Sequence, residues 1–407
     1  MVKKTIIATI LIAILLTASA YVVYNQYYNS SSSKSPTDSA STGNPSSSGN
    51  NPTNSPTNSP TNSNKSTSSS SSSSSAKNST STSNTIIDGA GFIVNVPESL
   101  KRIVVLDGNL AEMLCYMGLQ NSIVGRTDAQ CPPQLLNVKS VGEAAYALNV
   151  EVLIELEPDI IIADSLLTYD MGGAYTKLKA AGIPIYISQP PTLAQNTLNM
   201  TPEELYNSPT NIDIVCSVMQ DLSTVVGNKD RVDAFVTWAQ SYNKLVKDIV
   251  ATLPREQKNL AYVHWPYDGY RTINDLKIYQ AGGINVAETT VLVNPLLSAE
   301  WLAEQNPSVI IVLVSSPSHS LKDFEDAINT VKSTPVLQTC DAVKNGRVYA
   351  CDFTALNGMR SIIGYLYYAT WISPEHFADV VDPAAVAKEL NEKYLGTSTS
   401  DVYCYPR

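Results

Sequence analysis

Three patterns of apolar and polar residues follow one another along this chain of 407 residues. The first is an almost unbroken apolar run, TIIATILIAILLTASAYVVY from Thr5 to Tyr24, behind Lys3 and Lys4. About 20 such residues suffice to cross the hydrocarbon core of a bilayer, and the lysines are expected to remain cytoplasmic. The second pattern, from Asn29 to about Thr85, has almost no apolar residues and includes NPTNSPTNSPTNSN. A segment with so little apolar surface cannot offset its ordering entropy, which predicts a spacer. The third pattern fills the rest of the chain with short apolar runs between amphipathic stretches. KRIVVLD reads as a strand, and GNLAEMLCYMGL as a helix with Leu110, Met113, Leu114 and Met117 on one face. SIVGRT and IPIYIS read as further strands, YTKLKAA as a helix stopped by Gly182.

Within the third pattern one phrase is written twice, EVLIELEPDIII from Glu151 and EWLAEQNPSVII from Glu300. Each copy starts as a helix, meets a proline that cannot continue it, and ends in a β-branched apolar run. Such runs form strands covered on both faces by helices, so the repeat predicts two α/β lobes with parallel sheets. Between them, Asn211 to Thr252 holds helical spacing with one weak point at Gly227-Asn228, which predicts a long interlobe helix. The resulting division is 1–28 membrane anchor or signal segment, 29–85 stalk, 86–210 first lobe, 211–253 connecting helix, 254–396 second lobe and 397–407 tail. MRSIIGYLYYATWIS and DPAAVAKELNEKYLG close the second lobe as helices, the latter with Asp382 as its N-cap and Pro383 at its first position.

Composition adds few constraints. The net charge of −10 argues against nucleic-acid partners. The apolar N-terminal run places the protein on the outer face of the cell membrane, anchored, or secreted if cleaved near Ala20. It contains no cysteine, which excludes a lipid anchor of the bacterial type. Sequons at Asn29, Asn64, Asn78 and Asn199 suit an extracellular setting. Six cysteines fit an oxidising exterior, and proximity pairs Cys115 with Cys131 and Cys340 with Cys351. No C-x-x-C pair, G-x-G-x-x-G, Walker loop or G-x-S-x-G elbow occurs, so catalysis finds no support. Three histidines, far apart in sequence, make a bare-metal receptor a weak reading, and no resident metal site is predicted.

Taken in order, KRIVVLDGNLAEMLCYMGLQNSIVG, NVEVLIELEPDIIIAD, AGGINVAE, SAEWLAEQNPSVIIV and AVKNGRVYACD followed by WISPEHFADVVDP resemble the substrate-binding proteins of iron-siderophore and cobalamin ABC importers. The resemblance spans roughly residues 93–396. It implies two Rossmann-like lobes joined by a rigid helix, and a shallow cleft between them that takes a ferric siderophore or a corrinoid. It also implies a permease dimer with its ATPase as partner, met through one surface glutamate per lobe. The matching positions are Glu151 and Glu300, the first letters of the repeat. A stalked anchor without lipid resembles the arrangement of archaeal surface receptors. In α/β folds ligands sit beyond the carboxyl ends of the strands. That rule selects Asp107, Gly108, Asn109, Arg126, Thr127, Asp164, Ser165, His264, Trp265, Tyr267, Phe353, Asn357 and Arg360. Among these the arginines suit an anionic chelate and the aromatics its ring system. Two other readings stay open, a surface adhesion module and a chelatase-type enzyme.

Overall fold

A computed structural model describes residues 84–188, 200–266, 270–272, 276–288, 296–315, 320–397 and 402–406. The N-terminal apolar run, nearly all of the Ser/Thr-rich stretch, the asparagines of the four sequons and Tyr267 lie outside the described residues. A hairpin of β1 (Asn84–Ile87) and β2 (Ile93–Val96) opens the described fold, beginning inside the stretch assigned to the spacer. Buried Asp88 fixes it in place. One carboxylate oxygen accepts from Ala90 and Phe92 within the turn (3.0 and 2.8 Å), and the other accepts from the Ile187 amide at 3.1 Å.

The first sheet contains β3 (Ile103–Val105), β4 (Ile123–Arg126), β5 (Lys139–Ser140), β6 (Ile160–Ala163) and β7 (Ile185–Ile187) in the order β5-β4-β3-β6-β7, all parallel. Between the strands run α1 (Gly108–Tyr116), α2 (Val150–Glu155) and α3 (Ala174–Ala180). Alternation sorts the side chains. Ile103, Val105, Ile160 and Ile162 enter one core, while Val104, Ile161 and Ala163 enter another on the opposite face. Both faces are covered, so these strands are apolar throughout.

After α4 (Pro202–Asn207), the predicted long helix is two helices, α5 (Asn211–Val226) and α6 (Lys229–Val250). The break falls at Gly227 and Asn228, both with positive φ (81° and 63°). The chain folds back there. Asp213 at the start of α5 accepts from Asn243 (2.8 Å) and Lys247 (2.7 Å) near the end of α6, and Thr210 meets Asn243 at 3.0 Å. An apolar stripe on each helix explains the fold-back, because Val215, Val218, Leu222, Val232, Phe235 and Val246 bury together only in an antiparallel pair. The long helix leading into the second lobe is therefore α6 alone.

The second sheet comprises β8 (Leu260–Trp265), β9 (Tyr270–Thr272), β10 (Ile284–Asn285), β11 (Leu296–Leu297), β12 (Val309–Val314), β13 (Val348–Asp352) and β14 (Cys404–Tyr405). Parallel β8, β12 and β13 form its centre. β10 joins β8 in parallel, and β9, β11 and β14 add antiparallel edges. The segment expected to be a free tail thus supplies the last strand. Helices α7 (Leu276–Gln280), α8 (Ala299–Gln305), α9 (Leu321–Ser333), α10 (Asp341–Lys344) and α11 (Ser361–Ile372) pack on this sheet and beside it. α11 is buried almost all round and lies against α5, α6 and α7. Together with α5 and α6 it carries one apolar core from Ile103 and Ile162 of the first sheet to Val263 and Ile311 of the second. Asp382 caps the helix Pro383–Glu389 by accepting from Ala384 at 2.9 Å, as its sequence predicts.

Candidate functional site

The carboxyl ends of the two sheets meet at one seam. Residues 107–112 follow β3, residues 353–360 follow β13, and Gly358 is packed so tightly on Asn109 that a Cβ added to it would lie 2.5 Å from Asn109 Oδ1. Gly358 also has φ +55°, so glycine is required there twice over, by conformation and by space. Beside this contact Arg360 forms an ion pair with Glu112 of α1. Its Nε donates to the Tyr403 hydroxyl at 3.3 Å and its charge lies 5.6 Å from that ring. The Asn211 amide donates to the Leu356 carbonyl at 2.8 Å, tying the start of the connector α5 to the same turn.

On the first-lobe side Asp107 and Asp164 follow the neighbouring strands β3 and β6, and each caps the helical turn that comes next. Asp107 accepts from Leu110 at 2.8 Å and Asp164 from Leu166 at 3.1 Å. Burial pushes the Asp107 carboxyl above its usual range. Burial, with Asp107 close by, pushes Asp164 up to about 8. Two carboxyls that repel each other in a desolvated place keep a proton between them at neutral pH. Ser165 is half-buried just beyond, its carbonyl accepting from Thr168 at 2.6 Å, and Thr127 is buried with its amide donating to Val105 at 3.3 Å.

On the second-lobe side Trp265 ends β8 and Phe353 follows β13, their rings edge to face with centroids 5.7 Å apart. Both are half-buried, and together they make an aromatic wall over the end of β12. Asn357 is nearly buried and donates to the Phe353 carbonyl at 2.8 Å, so it shapes this turn.

Three residues expected to face a ligand have other work. Arg126 is 8% exposed, pairs with Asp128, and donates to the Leu135 and Leu136 carbonyls, each at 3.3 Å. Its guanidinium holds the 128–136 loop. Arg360 is committed to Glu112 and Tyr403 as described above. His264 points to the face of β8 that Tyr262 occupies, with ring centroids 5.9 Å from Tyr262 and 5.0 Å from Tyr270. It lies on the side opposite Val263 because side chains alternate along a strand. Asn109, whose amide donates to Gln130 at 3.3 Å, belongs to the seam more than to an open surface. Among the described residues no three His, Cys, Asp or Glu side chains gather as a metal site.

Sequence reasoning passed over Glu112, Gly358 and Tyr403. Glu112 had a usable signal, being the only charged residue in the apolar helix α1, yet it is 6% exposed. A charge in such a setting implies a buried partner.

Glu151 and Glu300 are exposed and occupy the same place on their helices. Asn149 caps α2 by accepting from Val152, Ser298 caps α8 by accepting from Trp301, both at 3.1 Å, and each glutamate is two residues past its cap. Its own backbone amide and Ser298 hold the Glu300 carboxyl below its usual range. Each copy of the repeat then passes through a positive-φ residue, Glu157 or Asn306, directly before its proline.

A sequence profile of the family described as periplasmic binding protein matches residues 103–355, more than half of the chain. The molybdate-binding protein MolA of Haemophilus influenzae is 21% identical over 75% of this chain and 89% of its own length. The vitamin B12-binding protein of Vibrio cholerae is 25% identical over 53% and 71%. The Fe(3+)-citrate-binding protein YfmC of Bacillus subtilis is 23% identical over 64% and 77%. Among solved structures, molybdate-bound MolA superposes with a TM-score of 0.61 at 21% identity, covering 77% of this chain and 98% of that one. The TroA-like binding protein FepB of Veillonella parvula gives 0.63 at 19% identity, covering 79% and 98%. These superpositions establish a shared fold.

Proposed function

Because this chain belongs to the periplasmic binding protein family, a family of substrate carriers for ABC importers and not of enzymes, we propose that it captures a metal chelate between its lobes and hands it to a permease dimer with its ATPase. The chelate we assign is a ferric siderophore or, next, a corrinoid, of low net negative charge. The observation that carries this choice is the engagement of both candidate arginines, Arg126 with Asp128 and Arg360 with Glu112. A polyanion would need such guanidinium groups free. What the seam offers instead is the Trp265–Phe353 wall for a flat or apolar ligand face, and the protonated Asp107–Asp164 pair with Ser165 for its polar groups. A relative that binds vitamin B12 supports the corrinoid arm, whereas those that bind molybdate and Fe(3+)-citrate carry anions.

Titrating the purified protein with neutral ferric hydroxamates, ferric catecholates, corrinoids and molybdate, read by tryptophan fluorescence, tests this assignment. Saturable binding of a hydroxamate complex or a corrinoid is expected. Binding of molybdate or a catecholate alone would overturn the charge argument, and binding of none would overturn the chelate reading.

Delivery rests on Glu151 and Glu300. Their matched, exposed positions at the starts of α2 and α8 present one carboxylate per lobe to arginines of a permease. The apolar run before Tyr24 would hold the carrier on the outer face of the membrane, and the Ser/Thr-rich stretch would give it reach.

A further inference from the structure

Cys351 and Cys404 stand directly opposite each other in the antiparallel pair β13–β14. Both are buried and their Sγ atoms are 3.1 Å apart. Opposite residues in such a pair have Cα atoms about 4.5–5.5 Å apart, inside the span a disulfide bridges. A bond between these sulfurs therefore asks for little backbone movement. The pairing expected from proximity in sequence, Cys340 with Cys351, is blocked by the sheet. Cys340 packs on the face that holds Val348 and Ala350, with its sulfur 3.9 Å from the Leu302 carbonyl, whereas Cys351 points to the other face.

We propose that Cys351 and Cys404 form a disulfide that clasps β14 to the second sheet and so keeps Tyr403 in place at the lobe seam. β14 is two residues long and lies at the edge of the sheet, a position where a strand gains little from pairing alone. The residue before Cys404 is Tyr403, whose carbonyl accepts from the Asp352 amide at 2.7 Å and whose hydroxyl accepts from Arg360. Arg360 in turn pairs with Glu112 of the first lobe. The clasp thus reaches the ion pair between the lobes through one residue.

Two thiols give one S–S bond, two protons and two electrons. The electrons pass to a low-molecular-weight disulfide or an oxidised dithiol catalyst outside the cytoplasm, by way of a mixed disulfide that the second thiolate displaces. Burial, with Cys351 beside it, raises the Cys404 thiol well above its usual range once β14 is seated. Exchange accordingly takes place before the strand docks, while the thiolate is accessible.

The test is to equilibrate the full chain with a glutathione redox buffer, block remaining thiols under denaturing conditions, and map the peptides without reductant. A linked peptide pair containing Cys351 and Cys404 is expected, lost on reduction. Reduction is also expected to lower the melting temperature by about 5 °C, and Cys404→Ser to show the lower value with no further response to reductant. Alkylation of both residues in the oxidised wild type, or linkage of Cys351 to another cysteine, overturns the clasp even if the variant fails to fold. Neither result bears on chelate binding, which the fluorescence titration reads separately.

Discussion

Asp164 shows how one side chain acquires its chemistry from its surroundings. Its folded-state pKa of about 8 lies above the ordinary value of 3.8, because burial and Asp107 both disfavour the carboxylate. The folded state therefore holds the proton more tightly than the unfolded chain does. Its contribution to stability is full below about pH 4 and is lost as the pH rises toward 8. Denaturant midpoints measured from pH 4 to 8 should fall across that window. Asp164→Asn, which keeps the cap to Leu166 and removes the charge, should flatten the slope, and an unchanged slope would place the titration elsewhere. At Gly358 the constraint is steric. Gly358→Ala adds a Cβ against Asn109 at a positive φ and should cost about 1–3 kcal/mol, seen as a lower denaturant midpoint.

At the scale of elements, the repeat is a unit with two jobs. Its caps, apolar positions, left-handed residue and proline turn a short helix into a buried strand, once in α2–β6 and once in α8–β12. Its first glutamate, like Glu155 and Glu304 one turn later, is left over on the surface. Charge reversal of Glu151 and Glu300 together should abolish transport in cells while leaving ligand affinity and melting temperature unchanged, since both side chains are exposed. Transport that survives would remove docking from these positions. The connector makes the complementary point. Helical spacing resumes after its one weak point at Gly227-Asn228, but the two positive-φ residues there convert one long rod into a hairpin whose helices bury their stripes on each other.

For the whole molecule, the continuous core through α5, α6 and α11 means that the lobes are not independent bodies. Unfolding in denaturant should be a single transition by both tryptophan fluorescence and circular dichroism. Two separated transitions would contradict a shared core. The ion pair of Glu112 and Arg360, 7% and 18% exposed in their side chains, should matter to both lobes at once. Glu112→Gln leaves a buried guanidinium without its counter-charge and should cost about 3 kcal/mol. It should also weaken chelate binding by loosening the seam, measurable in the same titration.

Much of this protein is written locally. The strands IVV, IIIA and VIIVLV, the cap Asp382 and the twice-used helix-to-strand phrase all depend on neighbours within a few residues, so sequence alone determined them. It also determined that two α/β lobes exist and that Glu151 and Glu300 correspond. Contacts between residues far apart in the chain were decided only by tertiary structure. Arg126 and Arg360 look like anion binders until Asp128 and Glu112 are seen beside them, and Cys351 looks closest to Cys340 until the sheet is found between them. Periodicity records which face of an element is buried, and it carries no information about the partner from another element that arrives there.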